Sequence, residues 1–337
     1  MSLFLGVVNN KSELLYPLTF EPIFKERIWG GRNIEQLYGK KLPVGVPIGE
    51  SWEISDRPGD ESIIASGPLA GKSLHWLLEQ HRPALLGSAQ LSSSGRFPLL
   101  IKILDAQEKL SLQVHPPAEK AALLGGEPKT EMWYIADATP DADLFVGLKR
   151  GTTRADFEKK VKDGSVAQCF HHIQTKPGDA IFLPSGRVHA IGAGNVIFEI
   201  QQNSDTTYRV FDWNRVDSSG KPRELHVEKS LESIDFKDFE PPLISADFKT
   251  DGALKVRELV NDPLFTVDLC RAEAAQQHQH PQGSMQILGV LAGTLDVEHP
   301  RESVSLKPGQ FCLIPASEKA VLKNTEPLTF LRIQAGA

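Results

Sequence analysis

The sequence predicts a mainly β protein of two jelly-roll barrels, with a few helices inserted in the N-terminal part. Three observations predict it. Short strand-like runs closed by Gly, Pro, Asn and Asp recur along the chain, and helical periodicity is confined to four stretches. The block Pro177-Gly178-Asp179-Ala180-Ile181-Phe182-Leu183-Pro184 returns as Pro308-Gly309-Gln310-Phe311-Cys312-Leu313-Ile314-Pro315, each copy a turn, a strand and a proline stop. A chain of 337 residues is long enough for two domains with substantial cores.

In chain order, strands are expected over residues 98–104, 110–114, 131–136, 143–146, 180–183 and 196–202. The last third repeats the pattern at 265–270, 286–291, 310–314 and 328–333. Helical spacing marks 73–86, 117–124, 153–162 and 225–234; Thr153, three residues before Asp156, and Gly164 bracket the third of these. The serine-rich stretch 87–95 reads as a loop. Residues 236–244, with Pro241 and Pro242, read as a linker between a first domain, 1–240, and a second, 245–337.

Composition narrows the function. Hydrophobic content of 40% and charged content of 24% are ordinary for a globular protein, and the net charge of −6 argues against nucleic acid or an anionic membrane as partner. A local basic pocket for a small anion remains compatible with it. Cys169, Cys270 and Cys312 show no paired spacing, so neither a disulfide framework nor a thiolate metal site is expected, but three buried thiols in a reducing compartment. The N-terminal twenty residues lack a basic start followed by an apolar run, and no segment approaches the roughly 20 apolar residues of a membrane span. The expected location is cytoplasmic.

Three strand ends carry metal-ligand chemistry. The strand 180–183 stops at Pro184, turns on Gly186 and delivers His189. Ser111-Leu112-Gln113-Val114-His115-Pro116 ends a second strand on an imidazole, with Ser111, Gln113 and His115 on one face by alternation. Glu131 opens a third. Two His and one Glu suit a zinc-like ion with a position left open for substrate, and Gln113 could add a carbonyl oxygen. Elsewhere, His171 and His172 face opposite sides of a strand. His278 and His280 share a face ahead of Gln286 and Gly293, the spacing of a barrel metal motif whose carboxylate has become an amide; no later histidine joins them, so exposure or hydrogen bonding is expected. Asp141 and Asp143 read as loop solvation.

Other residues could work around such an ion. Alternation over 196–202 puts Ile197, Glu199 and Gln201 on one face. Arg209 is either a surface charge, a salt-bridge partner of Asp205 or Asp212, or a planar fork for an anion. Lys129 lies near the ion if Glu131 binds it, or else in solvent. A metal beside a carbonyl, a spare carboxylate and two cations permit proton transfer between adjacent carbons of an anionic substrate.

In order and spacing, these residues resemble the type I mannose-6-phosphate isomerases in their short bacterial form. The resemblance covers most of residues 20 to 215. It rests on Ile28-Trp29-Gly30-Gly31, Ile48-Gly49-Glu50-Ser51-Trp52-Glu53, Leu110 through Pro116, Lys129-Thr130-Glu131-Met132-Trp133-Tyr134, Pro184 through Gly194, and Glu199 through Arg209. It implies a cupin-type double jelly roll binding one zinc per chain and interconverting mannose 6-phosphate and fructose 6-phosphate. It assigns His115, Glu131 and His189 to the metal, with Gln113 as a further ligand. It implies an active-site role for Arg209, and proton transfer or substrate contacts for Lys129, Glu199 and Ser111. The first domain would be catalytic and the second would lack a complete metal site. Arg187 stands where the family more often carries Thr, and could swing to solvent or reach a substrate phosphate.

The sequence therefore predicts a zinc-dependent aldose–ketose isomerase whose partner is a small sugar phosphate, in a monomer or weak homo-oligomer. Alternatives are a non-catalytic sugar-phosphate-binding cupin, an isomerase for another sugar phosphate, or a metal-dependent cupin oxygenase.

Overall fold

Strand alternation explains how one strand serves two cores. Along Asn195–Gln202, Val196, Phe198 and Ile200 turn to one side, and Ile197, Glu199 and Gln201 to the other. All but the last residue of the strand are buried. The computed structural model, which describes residues 15–216, 220–280 and 282–337, shows why. Residues 1–14, part of the stretch read for a targeting signal, lie outside the described residues.

The strand is internal to a six-stranded antiparallel sheet. Its spatial order is Ile23–Gly31, Ile48–Ile54, Leu99–Ala106, Asn195–Gln202, Glu131–Ala138 and Ala180–Leu183. A five-stranded sheet covers one face, in the order Tyr208–Phe211, Leu112–Val114, His189–Ile191, Asp143–Leu148 and Phe170–Gln174. Between them Leu104, Trp133, Ile135 and Ile197 meet Leu144, Val146 and Ile191.

A second pair of sheets repeats this plan. Its six-stranded sheet runs Lys249–Asp251, Leu254–Asp262, Phe265–Ala272, Leu328–Ala335, Gln286–Ala292 and Phe311–Ile314. A four-stranded sheet, Gln277–His280, Ala320–Lys323, Leu295–Glu298 and Val304–Leu306, closes over it. The two six-stranded orders correspond strand for strand, and the repeated sequence blocks supply the outermost strand of each. The six-stranded sheets pack back to back, so that Phe198, Ile200 and Met132 share one core with Phe265, Val267, Phe311 and Leu331.

Among the described residues, helices occur only ahead of Ile234. Leu74–Leu86 starts where Ser73 Oγ accepts the Trp76 N–H, and is kinked at His81, just ahead of Pro83, which cannot donate to the helix ladder. Arg154–Asp163 is capped by Thr153 and ends on Gly164 in the left-handed region, as its sequence requires. Ala118–Ala121 and Val227–Ser233 fall inside the other two expected stretches. Asn33–Tyr38 and the 3-10 turn Val166–Cys169 were not expected; such short segments display no helical period.

Several strands also escaped the pattern. Ile48–Ile54 is buried throughout yet carries Glu50, Ser51 and Glu53, whose polarity hides a strand from an apolar count. The three thiols are buried and free. Residues 236–244 lie along the first sheet pair, with Phe239 bridging to Leu148 and the Ile244 N–H donating to the Ala180 carbonyl. Asp143 is not a solvated loop residue: it opens a strand and binds His172. Among the described residues, no helix is long and apolar enough to cross a membrane.

Candidate active site

A single row of paired residues crosses the five-stranded sheet: Arg209 opposite Gln113, Gln113 opposite His189, His189 opposite Val146. His115 follows the strand Leu112–Val114 on the face of Gln113. Glu131 opens its strand in the facing sheet, opposite Leu183 and Gln201. Strands far apart in sequence thus aim His115, Glu131 and His189 at one point, and all three are buried.

The donors converge at metal-binding distance. Glu131 Oε2 lies 3.7 Å from His115 Nε2, and Oε1 lies 3.3 Å from His189 Nε2. Two ligands bound at about 2.1 Å with a tetrahedral angle stand about 3.4 Å apart. The tautomers suit an ion as well. His115 Nδ1 faces the Thr206 carbonyl at 2.7 Å, and His189 Nδ1 faces the Arg187 carbonyl at 3.0 Å. A carbonyl only accepts, so each Nδ1 carries the proton and each Nε2 offers a lone pair. Burial and the nearby Lys129 ammonium push His115 down to about 4, and burial lowers His189 too. Burial opposes the charge on Glu131, but the Lys129 ammonium outweighs it and holds the carboxyl well below the usual range. Buried lone pairs therefore face a buried carboxylate, and His115 Nε2 and Glu131 Oε1 lack a hydrogen-bond partner among the described residues. A cation satisfies them all, so the residues fit a metal. Gln113 Nε2 lies 3.3 Å from His189 Nε2, and turning the amide over would present its oxygen. Ser111, also buried, reaches that oxygen at 3.5 Å.

Beside the donors runs a chain of alternating charge. Lys129 Nζ stands 3.1 Å from Glu131 and 4.0 Å from Glu199. Lys102 Nζ stands 3.4 Å from Glu199 and 3.5 Å from Glu50, and Arg27 closes the chain on Glu50 at 2.7 Å. Indole N–H groups hold both carboxylates, Trp133 to Glu199 at 2.9 Å and Trp52 to Glu50 at 2.6 Å. Burial would discharge Lys129, but Glu131 and Glu199 keep it protonated to beyond the ordinary lysine range. Lys129 is thus buried, not the solvent-exposed lysine that was the alternative.

These groups border a cavity of about 490 Å³, lined by Ser111, Gln113, Lys129, Glu199, Lys102 and Arg209 among others. Arg209 pairs with neither Asp205 nor Asp212. Asp212 is gripped instead by Arg215 and Arg223 on the same cavity wall. Arg209 donates from Nη1 to the Glu224 carbonyl at 3.0 Å, and its buried Nε has no hydrogen-bond partner among the described residues. Lys102 and Glu50 were missed from the sequence. The signal was present, a lone lysine inside the apolar run Pro98-Leu99-Leu100-Ile101-Lys102-Ile103-Leu104.

Arg187 does not reach the cavity and does not swing free into solvent, although it is partly exposed. It is bound to Asp238 through two 2.8 Å contacts and to the Phe182 carbonyl. A further acidic group, Asp56, Glu61 and His75, is neutralised internally by Arg96 at 2.9 and 3.0 Å. In the second sheet pair, His280 is buried and its Nδ1 meets Gln286 Oε1 at 3.0 Å, which agrees with the expected hydrogen bonding.

Fold and site define a mainly β protein with a buried candidate metal centre beside a cation-lined cavity. Residues 18–139 match the family model for the phosphomannose isomerase type I catalytic domain. The chain is 43% identical over 221 residues to the mannose-6-phosphate isomerase ManA of Bacillus subtilis, covering 65% of this chain and 68% of that one. It is 33% identical over 305 residues to the mannose-6-phosphate isomerase of Streptococcus mutans, covering 90% and 94%. A crystal structure of mannose 6-phosphate isomerase from Bacillus subtilis superposes with a TM-score of 0.86 at 31% identity, covering 95% of this chain and all of that one. The chain belongs to the type I mannose-6-phosphate isomerase family of enzymes.

Proposed function

We propose that the protein interconverts mannose 6-phosphate and fructose 6-phosphate with one zinc ion held by His115, Glu131 and His189, and by Gln113 once its amide is turned. The observation that carries this is the buried convergence of unprotonated imidazole nitrogens on a buried carboxylate, beside a cavity lined with cations. When bound, the ion supplies Lewis acidity to the sugar carbonyl and stabilises negative charge on its oxygen.

The chain's own residues do the rest. Of the two groups, 4.0 Å apart, Glu199 as a carboxylate takes the proton from C2 of the open-chain aldose and returns one to C1, and Lys129, kept protonated, is the neighbouring proton donor. The hydroxyl proton moves the same way, from O2 to O1, so the isomers differ only in where hydrogen sits. Arg209 holds the negative charge of the substrate, its Nε having no hydrogen-bond partner among the described residues. Ser111 and Lys129 contact the substrate. We assign this chemistry to residues 1–240, and to residues 245–337 a supporting role without a complete metal site. A cytoplasmic location and a monomer or weak homo-oligomer complete the reading.

A coupled assay for fructose 6-phosphate formed from mannose 6-phosphate, run with and without chelator beside metal analysis, tests it. Turnover that disappears with the chelator and returns with zinc supports the proposal. Full turnover in metal-free protein refutes the zinc step. Sugar-phosphate binding without turnover in zinc-replete protein would make the chain a carrier, and faster conversion of glucose 6-phosphate would change the substrate.

A further inference from the structure

The turn preceding His189 touches all three donor segments at once. Ser185 donates its backbone N–H to Thr130 Oγ1 at 3.2 Å and its hydroxyl lies 3.0 Å from the same oxygen, one residue before Glu131. Gly186 N–H donates to the His115 carbonyl at 2.9 Å. The Arg187 carbonyl accepts the His189 Nδ1–H. Gly186 has φ +93°, a conformation that side chains rarely adopt.

The outer side of the turn is held just as firmly. Asp235 N–H donates to the Gly186 carbonyl at 2.9 Å. Arg187 Nε and Nη2 each lie 2.8 Å from one oxygen of Asp238, and Nη1 lies 2.6 Å from the Phe182 carbonyl. Asp238 is itself anchored, because its carbonyl accepts the Leu148 N–H at the end of the strand paired with His189–Ile191. A planar guanidinium bound on two edges leaves its own backbone little freedom.

We propose that Arg187 and Asp238 form a positioning clamp for the metal centre. The two-point pair fixes the Arg187 carbonyl, the carbonyl fixes the proton and ring angle of His189, and metal affinity follows. Both side chains are positioning residues, remote from the reacting atoms. The proposal rests on the metal reading above. Groups that orient a metal-bound histidine commonly change affinity about 10- to 100-fold. The clamp acts through one intervening carbonyl, so about tenfold is expected. The pair is partly exposed, so its loss should cost the fold little.

The test uses metal-free full-length protein titrated with Zn²⁺ against a chromophoric chelator, and with Co²⁺ for its visible absorption. Arg187→Thr and Asp238→Ala should each weaken Zn²⁺ binding about tenfold and change the Co²⁺ spectrum. The double variant should be no worse than either single. KM at saturating metal should stay within twofold. Should Arg187→Thr not fold, Arg187→Gln keeps most of the stem and loses the two-point grip. If wild type binds one equivalent and the variants match it in affinity and spectrum, the clamp is refuted and the metal reading stands. An additive double variant likewise refutes it. If wild type binds no metal, both readings fall.

Discussion

Gln113 lies directly opposite His189 across a strand pair, and its side-chain amide stands 3.3 Å from the imidazole Nε2. The contact ties the fourth donor to the third. Gln113→Ala should lower zinc affinity about tenfold while leaving a stoichiometric site, since two imidazoles and a carboxylate remain. Equilibrium dialysis with zinc reads this directly, and unchanged affinity would remove Gln113 from the coordination set.

His189→Ala should be far more severe. It deletes a buried donor and leaves Glu131 facing an empty space. Both bound zinc and turnover should be lost, as metal analysis of the dialysed variant and the coupled assay would reveal; a full equivalent of zinc retained would mean that another residue holds the ion.

Arg209→Ala should behave in the opposite way. The guanidinium shares a row with Gln113 but touches none of the three donors. Zinc content should stay at one equivalent while kcat falls by about two to three orders of magnitude, the usual loss for a group that holds developing or substrate charge. Near-normal turnover would exclude Arg209 from the mechanism.

Glu50 should confer a specific acid sensitivity. Burial works against its charge, but Lys102, Arg27 and the Trp52 N–H prevail and hold it at about 2, against an ordinary 4.5. The folded state therefore favours the carboxylate. Its contribution, about 3 kcal/mol at most, is complete above the ordinary value and disappears as pH falls toward 2. Urea unfolding of wild type and Glu50→Gln should differ most near pH 7 and converge below pH 4.5. A gap that stays constant down to the acid limit would assign the effect to packing.

Phe198 should support the back-to-back sheets and not the chemistry. Its ring is fully buried, 5.7 Å from that of Tyr38 and 5.4 Å from that of Phe311. Phe198→Ala should cost about 3–4 kcal/mol in chemical denaturation. Residual turnover near wild type well below the lowered Tm would separate this role from that of the adjacent Glu199.

Much of this was readable without coordinates. Strands such as Ala180–Leu183 and Phe311–Ile314 announce themselves through apolar runs closed by Pro and Gly, because alternation and turn chemistry are local. The strands Ile48–Ile54 and Leu254–Asp262 did not: on the first, buried Glu50 is satisfied by Lys102 from a neighbouring strand, and on the second, exposed Lys255 and Glu258 interrupt the apolar run. At the site, Glu199 was found because it interrupts an apolar face. Lys102 interrupts one equally and was overlooked, and its significance shows only once Glu50 and Glu199 lie on either side of it.

From the residues alone came the donor types, their placement at strand ends and the doubling of the strand plan, all consequences of neighbours along the chain. Packing decided what each charge does. Lys129 became a buried cation between two carboxylates, Arg209 kept a donor that no described residue claims, and Arg187 turned away from the cavity to Asp238. Such outcomes hinge on sheet register between segments tens of residues apart, and a buried charge takes its state from whichever partners that register brings within a few ångströms.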